Sequence, residues 1–131
     1  MFDKGIIASK KVIEIDPKDS DSYSNLGVFF YLLGKYEKAI QYNNQALSLN
    51  PNNAATLNNT GVLFKETGLF QKAEDCFRKA IDLNPNFAAA FSNLGTALVG
   101  CGKYLLAEKN FKEALSLQPD DDQAHLSLIH I

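Results

Sequence analysis

The side chains that could support acid–base or metal chemistry are few, and their spacing does not suit it. His125 and His130 are five residues apart, whereas two histidines that bind one metal from a single helix are four apart. The neighbours Glu74 and Asp75 point to different sides of a helix, so we expect a solvated face there and not a general acid–base pair. The sequence contains no phosphate-binding glycine loop and no nucleophile motif. We therefore predict a chain that is not an enzyme, with no catalytic residue, no metal and no cofactor.

Composition narrows the class of partner. The 131 residues are 46% apolar, and 13 Lys and Arg against 15 Asp and Glu leave a formal charge of −2. So balanced a charge gives no strong attraction to nucleic acid or to an anionic membrane. The longest apolar run, 28–33, is much shorter than a bilayer span. Cys76 and Cys101 are too few for a disulfide framework, so we expect a reducing, cytoplasmic location. Since the charge favours neither nucleic acid nor a membrane, we expect a protein or peptide partner.

Regularly spaced asparagines are the best candidates for a binding site. Asn25, Asn59 and Asn93 are 34 residues apart. The amide of an asparagine offers two donors and one acceptor, which match the C=O and N–H groups of an extended peptide. The same spacing brings back mostly uncharged residues before and after them: Ser24, Asn58 and Ser92; Val28, Val62 and Thr96; Tyr31, Lys65 and Val99.

The spacing belongs to an internal repeat that covers the chain. All four prolines are 34 residues apart: Pro17, Pro51, Pro85 and Pro119. Two glycine positions and two alanine positions return with the same period: Gly27, Gly61 and Gly95; Gly34, Gly68 and Gly102; Ala39, Ala73 and Ala107; Ala46, Ala80 and Ala114. A unit that recurs at this period is typical of stacked repeats, in which neighbouring units cover each other's apolar faces.

Each unit is predicted to contain two helices. In the middle unit, Leu57, Gly61 and Phe64 lie at the spacing of one helix face, which predicts a helix over 54–67. Gly68 ends it, and a second helix follows over 70–83. Asn86 is then expected to cap the next helix. No segment alternates with a period of two, so we predict no strand.

These features resemble the tetratricopeptide repeat family, whose pattern is W-x2-L-G-x2-Y, then A-x3-F, then Pro. The chain reads Tyr23-x2-Leu26-Gly27-x2-Phe30, Leu57-x2-Thr60-Gly61-x2-Phe64 and Phe91-x2-Leu94-Gly95-x2-Leu98, followed by Ala39-x3-Asn43, Ala73-x3-Phe77 and Ala107-x3-Phe111. Thr60, Leu98, Asn43 and the absence of Trp are single-site departures. The resemblance implies an all-α, right-handed superhelical solenoid of antiparallel helix hairpins.

The resemblance also implies where a partner binds. In this family the first helix of each unit lines a concave surface, and the asparagine row resembles the ladder in the superhelical repeats of O-linked N-acetylglucosamine transferases. We therefore expect a non-catalytic scaffold that holds an extended peptide in an asparagine-lined groove. The expected binding residues are Asn25, Asn59, Asn93, Asn58, Ser92 and Tyr31. The alternative is that these asparagines form hydrogen bonds within the array.

Three other functions are open at this point. A carboxylate clamp for an acidic C-terminal peptide needs Lys and Arg beside the asparagines, and their neighbours one turn away are instead Asp21, Ala55 and Ala89, then Val28, Val62 and Thr96. We therefore expect no chaperone-tail binding. The array is alternatively the substrate-recruiting arm of a larger enzyme, such as a protein O-glycosyltransferase. RNA binding is disfavoured because the charge is not basic.

The ends of the chain suggest a piece of a longer array. Phe2 is 34 residues before Tyr36, so we expect the second helix of a truncated repeat at 1–19, complete repeats at 20–53, 54–87 and 88–121, and the start of a truncated repeat at 122–131. Exposed apolar faces at both ends then predict end-to-end self-association. Our hypothesis for 126–131 is a translated sequencing adapter, CTGTCTCTTATACACATC. Genuine helix is the alternative, because Leu128 shares the register of Leu26.

Overall fold

The computed structural model describes residues 2–130, and within that range the chain is built of helices without any strand. The helices are α1 (Asp3–Ile15), α2 (Ser20–Leu32), α3 (Tyr36–Leu49), α4 (Ala54–Glu66), α5 (Phe70–Leu83), α6 (Ala88–Gly100), α7 (Tyr104–Leu117) and α8 (Asp122–Ile129). The prediction of an all-α solenoid is confirmed. Met1 and Ile131 lie outside the described residues, so the terminal segments 1–19 and 122–131 and the suspected adapter tail are described without them. Their assignment stays a prediction.

The helix ends follow the repeat. Helices α2, α4 and α6 begin exactly one period apart, and so do α3, α5 and α7. Gly68 takes a φ of +80° after α4, a left-handed conformation that a residue with a Cβ adopts at a cost. The helix predicted over 54–67 ends at Glu66, with Thr67 as its cap, and the helix predicted over 70–83 has those bounds.

The expectation that Asn86 caps α6 is wrong. Phe87 is the residue before the helix, and no side chain caps that end. Asn86 instead lies in the preceding turn, where its backbone N–H donates to Asn84 Oδ1 over 3.3 Å. In the unit before, Asn53 occupies the position of Phe87 and does cap α4, accepting from the backbone N–H of Thr56. The cap site is thus one residue later than predicted.

The helices pack as antiparallel hairpins that stack along the chain. Helix α2 packs on α3, α4 on α5, and α6 on α7, while α1 packs on α2 and α8 on α7. The even-numbered helices also contact one another in succession, whereas among the described residues the odd-numbered helices do not. Helices that touch lie on the inside of a curved stack, so α2, α4, α6 and α8 form the inner layer.

Small residues set the distance between the two helices of a hairpin. A Cβ at Gly61 would lie 2.5 Å from Phe77 Cε1, and a Cβ at Gly95 would lie 2.6 Å from Phe111 Cε1. The phenyl rings of Phe77 and Phe111 thus rest on glycine backbone and are fully or almost fully buried. Between hairpins, Ala80 and Ala90 are completely buried in one cluster with Leu57.

Within residues 2–130, no helix combines the length and the apolar character needed to cross a membrane.

Candidate functional site

The inner helices bring the three asparagines into one row. Asn25, Asn59 and Asn93 are each the sixth residue of their helix, on α2, α4 and α6 respectively. Asn25 is exposed, while Asn59 and Asn93 are half-buried. The structure assigns no hydrogen-bond partner within residues 2–130 to the side chains of Asn25 and Asn59. Their amides are therefore available to a ligand.

Two polar contacts join neighbouring inner helices beside this row. Asn93 Nδ2 donates to Asn58 Oδ1 over 3.1 Å, from α6 to α4. The hydroxyls of Ser24 and Thr56 lie 2.6 Å apart, between α2 and α4. One N–H donor of the Asn93 amide therefore forms a hydrogen bond within the array, which is the alternative to peptide binding given above.

Two of the predicted binding residues lie in the interior. Asn58 is 8% exposed and Ser92 is 5% exposed. Asn58 is held by Asn93, and the backbone carbonyl of Ser92 accepts from the hydroxyl of Thr96 over 3.2 Å. Little of either side chain is accessible to a ligand, and in this structure Asn58 acts by holding Asn93.

Tyr31 lies at the end of the inner face of α2. Its ring is half-buried, and its centroid is 5.6 Å from that of Tyr36. Burial, then the negative charge of Glu66, then Tyr36 raise the pKa of the Tyr31 phenol. The hydroxyl therefore stays neutral and can both donate and accept.

A cavity of about 240 Å³ opens between α2 and α4, next to the asparagine row. It is lined by Gly27, Val28, Tyr31, Leu32, Asn43, Asn59, Val62 and Leu63. Sequence reasoning missed this feature. The signal for it was Asn43, which stands where the other two complete repeats have Phe77 and Phe111.

Glu74 forms ion pairs with two cations, and the expectation of a solvated face is wrong for it. Asp75 is exposed as expected, but Glu74 is 5% exposed. Its carboxylate accepts from Arg78 Nε over 2.9 Å and from Lys103 Nζ over 3.2 Å. Burial raises the pKa of Glu74, but these hydrogen bonds and charges outweigh burial and leave the pKa below its usual value. The ion pair of Glu74 with Lys103 thus connects two hairpins, and its role is structural.

The remaining reactive groups are poorly placed for chemistry. Burial raises the pKa of the Cys76 thiol to about 11, so it is protonated at neutral pH and is a weak nucleophile. His125 Nε2 lies 2.9 Å from the carbonyl oxygen of Pro119. No group of three or more His, Cys, Asp or Glu side chains within residues 2–130 is arranged to hold a metal ion.

Comparison with known proteins identifies the repeat. The tetratricopeptide repeat pattern matches residues 20–53 and 54–87, and a second pattern of the same description matches 76–109. No curated protein matched the chain.

Three of the similar solved structures are compared with this chain by sequence identity, TM-score and coverage. A crystal structure of MamA is 27% identical with a TM-score of 0.90, over 97% of this chain and 74% of that one. The Arabidopsis OM64 TPR domain is 28% identical with a TM-score of 0.83, over 85% of this chain and 92% of that one. The second TPR domain of human RPAP3, solved in complex with the HSP70 peptide SGPTIEEVD, is 29% identical with a TM-score of 0.81, over 85% and 92%.

Proposed function

The chain belongs to the tetratricopeptide repeat family, and from that premise we propose that it is a scaffold that binds an extended, uncharged peptide segment along its inner helices. The observation that carries this proposal is the row of aligned amides on α2, α4 and α6. Two of them, Asn25 and Asn59, reach a ligand without first breaking a described hydrogen bond.

The three asparagines have different roles in the proposed groove. Asn25 and Asn59 bind backbone C=O and N–H groups of the peptide through whole amides. Asn93 contributes its Oδ1 and its second N–H, because its other donor is bound to Asn58. Tyr31 borders the groove at the end of α2 and offers a neutral hydroxyl. The row thus fixes the direction of the peptide backbone without selecting much of its sequence.

The charge of the groove favours a neutral peptide. The RPAP3 domain binds SGPTIEEVD, a peptide with three acidic residues. In this chain the inner positions around the asparagine row are uncharged except for two. These are the exposed Asp21 and the half-buried Lys65. An acidic peptide would therefore lose hydration without gaining paired cations. We propose that the chain selects against such tails.

The test is the double variant Asn25→Ala with Asn59→Ala. A library of neutral ten-residue peptides, acetylated and amidated, supplies the probe, and the best binder is labelled for fluorescence anisotropy. We expect the double variant to bind it about thirtyfold more weakly, since each of the two lost amides removes about 1 kcal/mol. Helicity by circular dichroism should not change, because neither side chain has a described partner in the fold.

The matched control is Asn44→Ala with Asn86→Ala, two exposed asparagines outside the groove. It should bind the probe like the unmodified chain. Equal affinity of the groove variant and this control would remove the asparagine row as the binding site, and tighter binding of SGPTIEEVD than of the neutral probe would contradict the proposed charge preference.

We further propose that the terminal helices mediate association between copies of the chain. Within residues 2–130, helix α1 packs on α2 alone, and α8 packs on α6 and α7 alone. Apolar side chains remain exposed on both: Ile7, Val12 and Ile15; Leu126 and Ile129. Stacking one end on the other would cover them as repeats cover one another within the chain.

A further inference from the structure

The first complete repeat contains a buried amide that the fold leaves unpaired. Asn43 on α3 is 1% exposed, and neither Nδ2 nor Oδ1 has a hydrogen-bond partner. Leaving such a group unpaired is costly, because its desolvation is not repaid. Nearly all buried polar side chains in native proteins have a partner, so an orphaned one indicates a missing ligand atom or an ordered water.

Asn43 borders the cavity between α2 and α4. It is a lining residue of that cavity of about 240 Å³, and its amide is covered in this structure, with Oδ1 packed against the backbone of Gly27. The open side is formed by residues of the groove: Val28, Tyr31, Asn59 and Val62. The volume is below the roughly 300–1,000 Å³ of small-molecule sites, and therefore suits one amino-acid side chain entering from a peptide in the groove.

The repeat shows what is special about this position. In the other two complete repeats, Phe77 and Phe111 occupy it and rest on Gly61 and Gly95. A cavity of the same volume, about 240 Å³, lies two repeats further on between α6 and α8, but Phe111 lines it. The counterpart also has polar walls, from Thr96, Gln123, Ser127 and His130. The cavity beside Asn43 has mainly apolar walls and an amide where its counterpart has the phenyl ring.

We propose that this cavity is a subsite for a carboxamide side chain, that of glutamine, on the bound peptide. A primary carboxamide can donate to Asn43 Oδ1 and accept from Asn43 Nδ2. Both atoms are covered in this structure, and a turn of the Asn43 side chain toward the cavity would bring them to this one ligand group. The walls of Val28, Leu32 and Val62 suit the two methylene groups that precede the glutamine amide. No charged residue lines the cavity, so a carboxylate of the same shape would be buried without a counter-charge.

This inference rests on the proposed function, because it names the side chain that the groove selects. The asparagine row binds the backbone of the peptide, and the cavity accepts the side chain of one peptide residue. The subsite and the row share Asn59, which lines the cavity. Asn43 belongs only to the subsite and Asn25 only to the row, so variants at these two positions test them separately.

The subsite is tested with a small probe on the full chain. N-acetylglutamine methylamide is titrated while the side-chain amide signal of Asn43 is followed by ¹H–¹⁵N NMR, with the glutamate and leucine analogues as comparison. We expect a saturable shift with the glutamine probe. The glutamate and leucine analogues should bind about tenfold more weakly, since they cannot form both neutral hydrogen bonds with Asn43. A flat response, or equal binding of all three, would overturn the assignment and leave Asn43 to an ordered water.

Variants separate the subsite from the groove. Asn43→Leu removes the amide at almost constant size, and Asn43→Phe installs the residue of the other repeats. Asn44→Leu makes the same change at the exposed neighbouring position. In the neutral peptide library, the unmodified chain and Asn44→Leu should prefer glutamine at one position, and both Asn43 variants should lose this preference while still binding peptides. Persistence of the preference in Asn43→Leu would overturn the subsite.

The outcomes for the groove differ from those for the cavity. Peptide binding without a glutamine preference contradicts the subsite and spares the groove. Failure of every library peptide to bind contradicts the groove and, with it, the peptide origin of the carboxamide. Circular dichroism of each Asn43 variant shows whether it is folded, and the NMR titration of the unmodified chain decides the subsite if one variant is not.

Discussion

Glu74 shows how one buried carboxylate connects two repeats. It lies on α5 and pairs with Arg78 on the same helix and with Lys103, which precedes α7 in the next hairpin. The side chains of both cations are nearly half exposed, whereas the side chain of Glu74 is buried. The cations therefore keep much of their hydration while the carboxylate obtains its hydrogen bonds from them. Such a group supports the fold only while it is charged.

The pH dependence of stability tests this role. The pKa of Glu74 is lowered in the folded chain, so its contribution is complete above the unfolded value of about 4.3 and is lost as pH falls through the lower folded value. Glu74→Gln should lower the free energy of unfolding by about 1–2 kcal/mol at pH 7, and should flatten its decline below pH ~4. Urea unfolding at several pH values measures both.

The control is Glu108→Gln, which breaks the exposed pair with Lys112 at 2.8 Å. An exposed pair contributes roughly 0–1 kcal/mol, so this variant should resemble the unmodified chain. If both variants lost the same amount at pH 7, or if Glu74→Gln kept the full acid dependence, the structural role of Glu74 would be disproved.

Single residues also mark the limit of sequence reasoning at the site. The register of Asn25, Asn59 and Asn93 was readable because identical residues return with the repeat. The burial of Asn58 and Ser92 was not, because it depends on how closely α4 and α6 approach. Asn43 was visible as a departure from Phe, but its unpaired atoms and the cavity exist only once α2, α3 and α4 are assembled.

At the scale of the element, the hairpin spacing depends on glycine facing a phenyl ring. An alanine at Gly61 favours the helix by about 1 kcal/mol, but its Cβ would lie 2.5 Å from Phe77 Cε1, and the ring is completely buried. Overpacking of this kind costs about 1–3 kcal/mol. Because the ring is completely buried and cannot move aside freely, we expect Gly61→Ala to lower the free energy of unfolding in urea by up to about 2 kcal/mol.

A double-mutant cycle separates overpacking from other causes. Phe77→Leu removes the ring and destabilises the chain by itself, but it makes room for the new methyl group. Gly61→Ala should then be neutral or stabilising in the Phe77→Leu background. The same loss in both backgrounds would show that the contact between Gly61 and Phe77 does not set the hairpin spacing.

Helix existence was easier to predict than helix ends. Periodic apolar residues and glycines gave the two helices of the middle unit to within one residue, because burial and the left-handed turn at Gly68 leave few alternatives. The start of α6 was misplaced because Asn86 has a strong capping preference that the geometry of the turn overrides. Its backbone N–H is bound to Asn84, and the helix begins after Phe87.

For the whole molecule, the free energy of unfolding is approximately a sum of the contributions of single repeats and of the interfaces between neighbouring repeats. Each helix packs only on helices up to two places away in the chain, as in a one-dimensional stack. No end of such a stack is covered by the repeats themselves. In the proposed association between copies, the exposed side chains of α1 and α8 would cover one another in a head-to-tail contact, as neighbouring hairpins do within the chain.

Sedimentation equilibrium tests that contact. A head-to-tail contact that does not close into a ring leaves one free face at each end, so the average mass of the chain should rise continuously from micromolar to near-millimolar concentration. Ile7→Lys with Leu126→Lys places like charges on both ends and should keep the chain monomeric. The matched control is Leu33→Lys with Leu105→Lys, which changes two side chains that are 44% and 86% exposed but lie outside the terminal helices. A monomeric unmodified chain at high concentration, or equal loss of association in both variants, would show that the ends do not mediate stacking.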